Sequence, residues 1–239
     1  MPAIPFHPFS SEHLITLAIG FVVIGLMIVF AKRSEKNQRI TTAVLAFCNL
    51  ISYPFALYAW RDYPHSLDNL LPFHLCDLAA VVAGFALMTR KPILLTLTYF
   101  WGLAATTQAL ITPALSIGPP ELPFIHFFFQ HFVIVAAALY IPLVLKWRPI
   151  QPWWKSPLIV LAISIGYQAT ALIINHFLNN HFLNNPHQEI NFAFASKKPD
   201  NPSLINYLGP WPIYLFAMQG LALIFFLLLA LPFRRSSAD

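Results

Sequence analysis

Apolar stretches near the length of a bilayer crossing recur seven times along this chain and leave room for little else. They fall at about residues 13–31, 40–60, 72–88, 92–111, 123–145, 157–177 and 211–231, against the ~20 residues a helix needs to cross the hydrocarbon core. Of the 239 residues, 58% are hydrophobic and only 10% are charged, and mean hydropathy is +0.64. A soluble domain of this size does not sustain such a balance. The expected fold class is therefore all-α, one polytopic membrane domain over residues 1–239 with seven transmembrane helices. The third stretch is the shortest, and a span of ~17 residues is at the lower limit, so a re-entrant segment is its alternative.

Charge orders these spans. With seven crossings, Lys32, Arg33, Lys36, Arg39, Arg90, Lys91, Lys146, Arg148, Lys155, Arg234 and Arg235 fall on one side, leaving Arg61, Lys197 and Lys198 on the other. The positive-inside rule then places the N-terminus outside and the C-terminus in the cytoplasm. Six or eight spans would scramble the asymmetry. The formal net charge of +5 is on this reading a topological signal beside anionic headgroups and gives no argument for nucleic acid. The first apolar stretch lacks a basic leader and a small-residue cleavage site, so it reads as a retained span. Two cysteines make no disulfide framework: Cys48 is mid-span and Cys76 near a span end, at different depths.

Two longer connections, 61–71 and 178–210, are expected on the external side. Near the second, Asn175-His176-Phe177-Leu178-Asn179 is repeated as Asn180-His181-Phe182-Leu183-Asn184, which reads as slippage in a tolerant loop. Histidines five apart do not share a helix face. Further on, Asn191 to Pro199 and Leu208 to Tyr214 carry aromatics and prolines in the manner of an ordered cap. Lys197 and Lys198, on the side that otherwise lacks basic residues, need a local reason: an anionic headgroup or an acidic partner residue.

The chemistry-bearing residues gather by depth. Leu71-Pro72-Phe73-His74-Leu75-Cys76-Asp77 opens the third span with an imidazole, a thiol and a carboxylate, and ionisable groups at such a position are costly enough to suggest a function. A cysteine just inside a helix start feels the positive end of the dipole, which favours thiolate. At the matching level the fourth span ends with Gln108 and Thr112, one turn apart, and the fifth begins with His126, Gln130 and His131. His126 and Gln130 share a face, whereas His131 is turned away by about 140°. The expectation is an outer-leaflet polar pocket with Cys76 as nucleophile and His126 as base, supported by His74, Asp77, Gln108, Thr112, Gln130 and His131. Which of His74, His126 and His131 serves as base stays open. No metal site and no cofactor are expected, since the histidine spacings match no zinc motif and there is no Gly-rich phosphate loop.

In order along nearly the whole chain, Phe9-Ser10-Ser11-Glu12-His13-Leu14, the Leu71 to Asp77 run, Tyr99-Phe100-Trp101-Gly102-Leu103, Gln108 to Pro113, Phe124 to His131, and Lys198-Pro199 before Gly209-Pro210-Trp211-Pro212 resemble the bacterial YwaF-type integral membrane proteins, which are similar to the animal transmembrane protein 164 family. The resemblance implies a multi-span acyltransferase fold that moves fatty acyl chains on phospholipids through a cysteine, here Cys76, with His126 as the matching histidine. It also implies a bacterial cytoplasmic membrane location. The expected function is a lipid acyltransferase or acyl hydrolase working through a Cys thioester, with Lys197 or Lys198 meeting the lipid phosphate. The alternative is a membrane transporter or binding protein using the same polar pocket. Acyl donor, acceptor and oligomeric state are not legible.

Overall fold

The computed structural model describes residues 5–63, 71–181, 189–199 and 203–234, and every regular element among them is helical. Local sequence explains the first two helices. Ser10 caps α1 (Ser11–Lys32) and Ser34 caps α2 (Glu35–Ala59), each with a glutamate in the first turn where the helix dipole favours it. α3 is Leu75–Thr89. α4 (Pro92–Ile111) opens on its proline and carries a π turn at Gly102–Thr106. α5 is Leu122–Leu143, α6 is Lys155–His181, and α7 is Ile213–Ala230, extended by one 3₁₀ turn to Phe233.

Six of these are long and apolar enough to cross a membrane. The exception is α3, whose 15 residues rise about 22 Å at 1.5 Å each, short of the ~30 Å hydrocarbon core. The third stretch therefore differs from its expected 72–88 bounds: Pro72 and Phe73 lie in a turn ahead of the helix. α1 shows what surrounds the bundle, because Ile15, Ile19, Val22, Val23 and Leu26 are all exposed on it. A helix apolar all round that is not buried in protein belongs in lipid.

α5 is central, packing on α1, α2, α3 and α4, while α2 lies between α1 and α3, and α6 pairs with α7. Small residues make the close approaches, as is usual where lipid supplies no hydrophobic drive. A Cβ on Gly84 of α3 would stand 2.5 Å from Leu50 of α2, and one on Gly102 would stand 2.7 Å from the Ala138 Cβ of α5. At the π turn the hydroxyls of Thr106 and Thr107 donate to the Trp101 and Gly102 carbonyls at 3.4 Å, each across five residues. They satisfy groups that the wider turn leaves misaligned.

A candidate thiol site under an ordered cap

The helix proper of α3 starts at Leu75, with His74 as its N-cap in extended conformation and without a side-chain cap bond. Its first backbone bond runs from Leu78 N–H to the His74 carbonyl at 3.1 Å, so the amides of Leu75, Cys76 and Asp77 precede the helical ladder and present its positive end. Asp77 closes the turn differently. Its carboxylate lies within electrostatic reach of His74, and its Oδ1 accepts from Gln130 Nε2 of α5 at 2.7 Å. Asp77 thus sits at the third helical position, where a carboxylate suits the dipole, and α5 anchors it.

Cys76, second residue of the helix, is a free, half-buried thiol packed against the core that α3, α4, α6 and α7 share. Beside it stands a residue that sequence reasoning did not single out. Tyr167 of α6 lies within electrostatic reach of Cys76 and Asp77, and its hydroxyl donates to the Phe73 carbonyl at 2.8 Å. Its ring sits 6.4 Å from that of Trp101, whose Nε1 donates to Ser164 Oγ at 2.9 Å. The available signal was Ser164, Tyr167 and Gln168 close together inside an otherwise apolar span.

Over this turn lies the segment 189–199. Phe192 is fully buried with its ring 5.5 Å from Phe73 and 5.2 Å from His74. Asn175 of α6 holds it by the backbone, with Oδ1 accepting Phe192 N–H at 2.9 Å and Nδ2 donating to Phe192 O and Ser196 Oγ at 3.1 Å. Asn179 does the same for Ile190. From α7, Tyr214 donates to Phe194 O at 2.6 Å, and Trp211, just ahead of that helix, donates to Ala195 O at 3.2 Å. The Asn-His-Phe-Leu-Asn repeat is thus more than slippage. Asn175 and Asn179 of its first copy bind the cap, while Asn180 and His181 of the second are exposed and Phe182 to Asn184 lie outside the described residues.

The lysines are used locally. Lys197 Nζ is 3.5 Å from Glu189, the acidic partner that was one of two expectations, and Lys198 Nζ donates to the Asn206 carbonyl at 3.0 Å.

The other expected pocket residues bond to backbone carbonyls. His126 Nε2 bonds to the Ser52 carbonyl of α2 at 3.1 Å, with its ring edge-on to Phe55. His131 Nδ1 bonds to the Phe127 carbonyl at 2.6 Å, one turn back on its own helix, and stacks on that ring. The Thr112 hydroxyl donates to the Gln108 carbonyl at 3.2 Å, which closes α4. Among the described residues no hydrogen bond joins Cys76 to His126, and His74 is the candidate imidazole whose ring nitrogens hold no hydrogen bond. Equal depth leaves open which partner a ring meets, because that depends on the rotation of its helix. The same interior holds Asn49, whose Nδ2 donates to Leu45 O at 2.8 Å and to Val133 O at 3.1 Å, so Asn49 and His126 both stitch α2 to α5. At the N-terminus, buried His13 bonds the Leu110 carbonyl at 2.8 Å and accepts Phe9 N–H at 2.9 Å, tying α1 to the end of α4. Its signals were its place beside the start of an apolar run and in the Phe9 to Leu14 run.

Helices of this length and composition around buried polar ties define a multi-pass membrane protein. The TMEM164 family model matches residues 8–230, and the chain belongs to that family. An uncharacterized protein of Treponema pallidum (strain Nichols) is 27% identical over 171 residues, 72% of this chain. The chain spans 65% of that relative's length. No solved structure matches the chain.

Proposed function

We propose that this protein is an enzyme of a bacterial cytoplasmic membrane that transfers or hydrolyses phospholipid acyl groups through a thioester on Cys76. On this reading α3 is the seventh crossing, short enough to leave Cys76 below the bilayer surface, and the N-terminus is external. What supports the reading is one arrangement: a half-buried thiol at the second position of a helix whose first amides lack a side-chain cap, beneath an aromatic cap. Such amides suit an oxyanion.

Cys76 Sγ attacks the ester carbonyl carbon while an imidazole takes the thiol proton. The tetrahedral oxyanion rests on the α3 amides. Collapse breaks the acyl C–O bond, and the lysolipid oxygen leaves with the proton returned by the imidazole. An acceptor hydroxyl or water then takes the acyl group and regenerates the thiol. His74 fits the base better than His126, because its ring nitrogens are free and it lies two residues from Cys76, within electrostatic reach of Asp77. Tyr167 and Asp77 position the turn, and Lys197 and Lys198 at the cap edge face the headgroup.

The test is intact-protein mass spectrometry of wild type, Cys76→Ala and Cys48→Ala after incubation with phospholipid. The expected result is one acyl mass, released by hydroxylamine, on wild type and Cys48→Ala alone. The same adduct on Cys76→Ala, or none across a broad lipid panel, would reject the thioester and leave the transporter or binding reading.

A further inference from the structure

At the opposite end of α3 a second feature has no part in that chemistry. An open cleft of about 650 Å³ lies between α2 and α3, with Glu35, Gln38, Arg39 and Thr42 along one wall and Arg90 on the other. Its apolar part is formed by Ala43, Ala46, Leu87 and Met88. Met88 stands twelve residues from Cys76, about 18 Å along the helix.

Two features select a ligand. The cations are available: Arg39 is exposed and its contact with Glu35 is 3.8 Å with both side chains more than four-fifths exposed, which is weak competition for a better anion. Arg90 is exposed, ends α3 in a left-handed conformation, φ 57° and ψ 18°, and lines the cleft with Glu35 and Arg39. The wall behind them is rigid, since Tyr140 of α5 donates to the Gln38 carbonyl at 3.0 Å and bonds the Thr42 hydroxyl at 2.9 Å. The cleft also sits at the chain's basic end, among Lys32, Arg33, Lys36 and Lys91. A paired cationic rim over an apolar trough between membrane helices is complementary to an amphiphile with an anionic head.

We infer that this cleft binds one anionic phospholipid, its phosphate between Arg39 and Arg90 and an acyl chain along exposed Ala43 and Met88, above the buried floor of Ala46 and Leu87. The site is separate from Cys76 and stands whether or not the thioester reading does.

Native mass spectrometry of the full chain, released from detergent with phosphatidylglycerol or phosphatidylcholine, tests it. Wild type is expected to retain one phosphatidylglycerol under activation that strips phosphatidylcholine. Arg39→Gln with Arg90→Gln should weaken retention on the order of 30-fold, the effect of two charges near a membrane surface. Ala43→Trp, at an exposed position, should lower retention with every charge intact. Lys32→Gln with Lys36→Gln, on the same end, should leave retention within about 3-fold. Equal loss in the lysine variant would replace the site with a diffuse basic surface. Equal retention of phosphatidylcholine, full competition by glycerol phosphate, or an Ala43→Trp protein that retains lipid like wild type would each overturn it.

Discussion

Gln130 Nε2 on α5 donates to Asp77 Oδ1 on α3 across 2.7 Å, so the most enclosed helix of the bundle fixes the turn that presents Cys76. A hydrogen bond to a buried carboxylate is worth about 1.5–3 kcal/mol. Gln130→Leu should lower stability by that order in an unfolding titration in bicelles and reduce Cys76 acylation. Asp77→Asn, which keeps an acceptor oxygen, should lose less. Wild-type stability in Gln130→Leu would show that Asp77 does not depend on α5.

The cap should open through one side chain. Asn175→Ala removes three bonds to the 189–199 segment and leaves buried backbone groups of Phe192 unpaired, so amide exchange there should rise about 30- to 100-fold. Asn180→Ala, the equivalent change in the second repeat, should leave exchange unaltered. Equal protection in both variants would contradict the clamp.

Two glycines of α1 should respond with opposite sign. A Cβ on Gly20 would fall 2.1 Å from the Phe132 ring, whereas one on Gly25 meets nothing within 4 Å. Gly20→Ala should destabilise by about 1–3 kcal/mol through overpacking. Gly25→Ala should be neutral or stabilise by up to about 1 kcal/mol through helix propensity. Matching melting temperatures for the pair would remove the α1–α5 contact from the account.

Outside the spans, Tyr63 donates to Glu121 Oε2 at 2.8 Å. That hydrogen bond, then burial and the nearby carboxylates, raises the phenol above its ordinary value. The folded state therefore holds the proton more tightly than the unfolded chain. The contribution is fully present below pH about 10 and is lost as pH rises through the folded value. In an ultraviolet titration Glu121→Gln should shift one tyrosine toward lower pH. An unchanged curve would refute the coupling.

Much of the helix content was legible because each span is written in a single periodic chemistry. Six long helices lie near their apolar stretches, and serine caps and opening prolines mark several starts. The α3 start was misplaced by three residues: Pro72 suits a first helical turn, yet the chain uses it in the turn before. The Cys76 neighbourhood was legible in composition but not in pairing. Gln130 was placed on the His126 face, and that face does meet α3, but the partner is Asp77. Tyr167 was missed because a tyrosine in a span reads as ordinary apolar packing until its hydroxyl has an acceptor.

By itself the sequence determined the membrane class, the places of six long apolar helices and the rarity of the ionisable groups, since all three follow from the cost of polar groups in hydrocarbon, which acts locally along the chain. Tertiary structure alone decided which imidazole keeps its nitrogens free, that an asparagine pair from a repeated pentapeptide clamps the cap, and that Arg39 and Arg90 share one cleft. Those outcomes depend on the rotation of each helix about its axis, which close packing at Gly20, Gly84 and Gly102 sets between segments far apart in the chain.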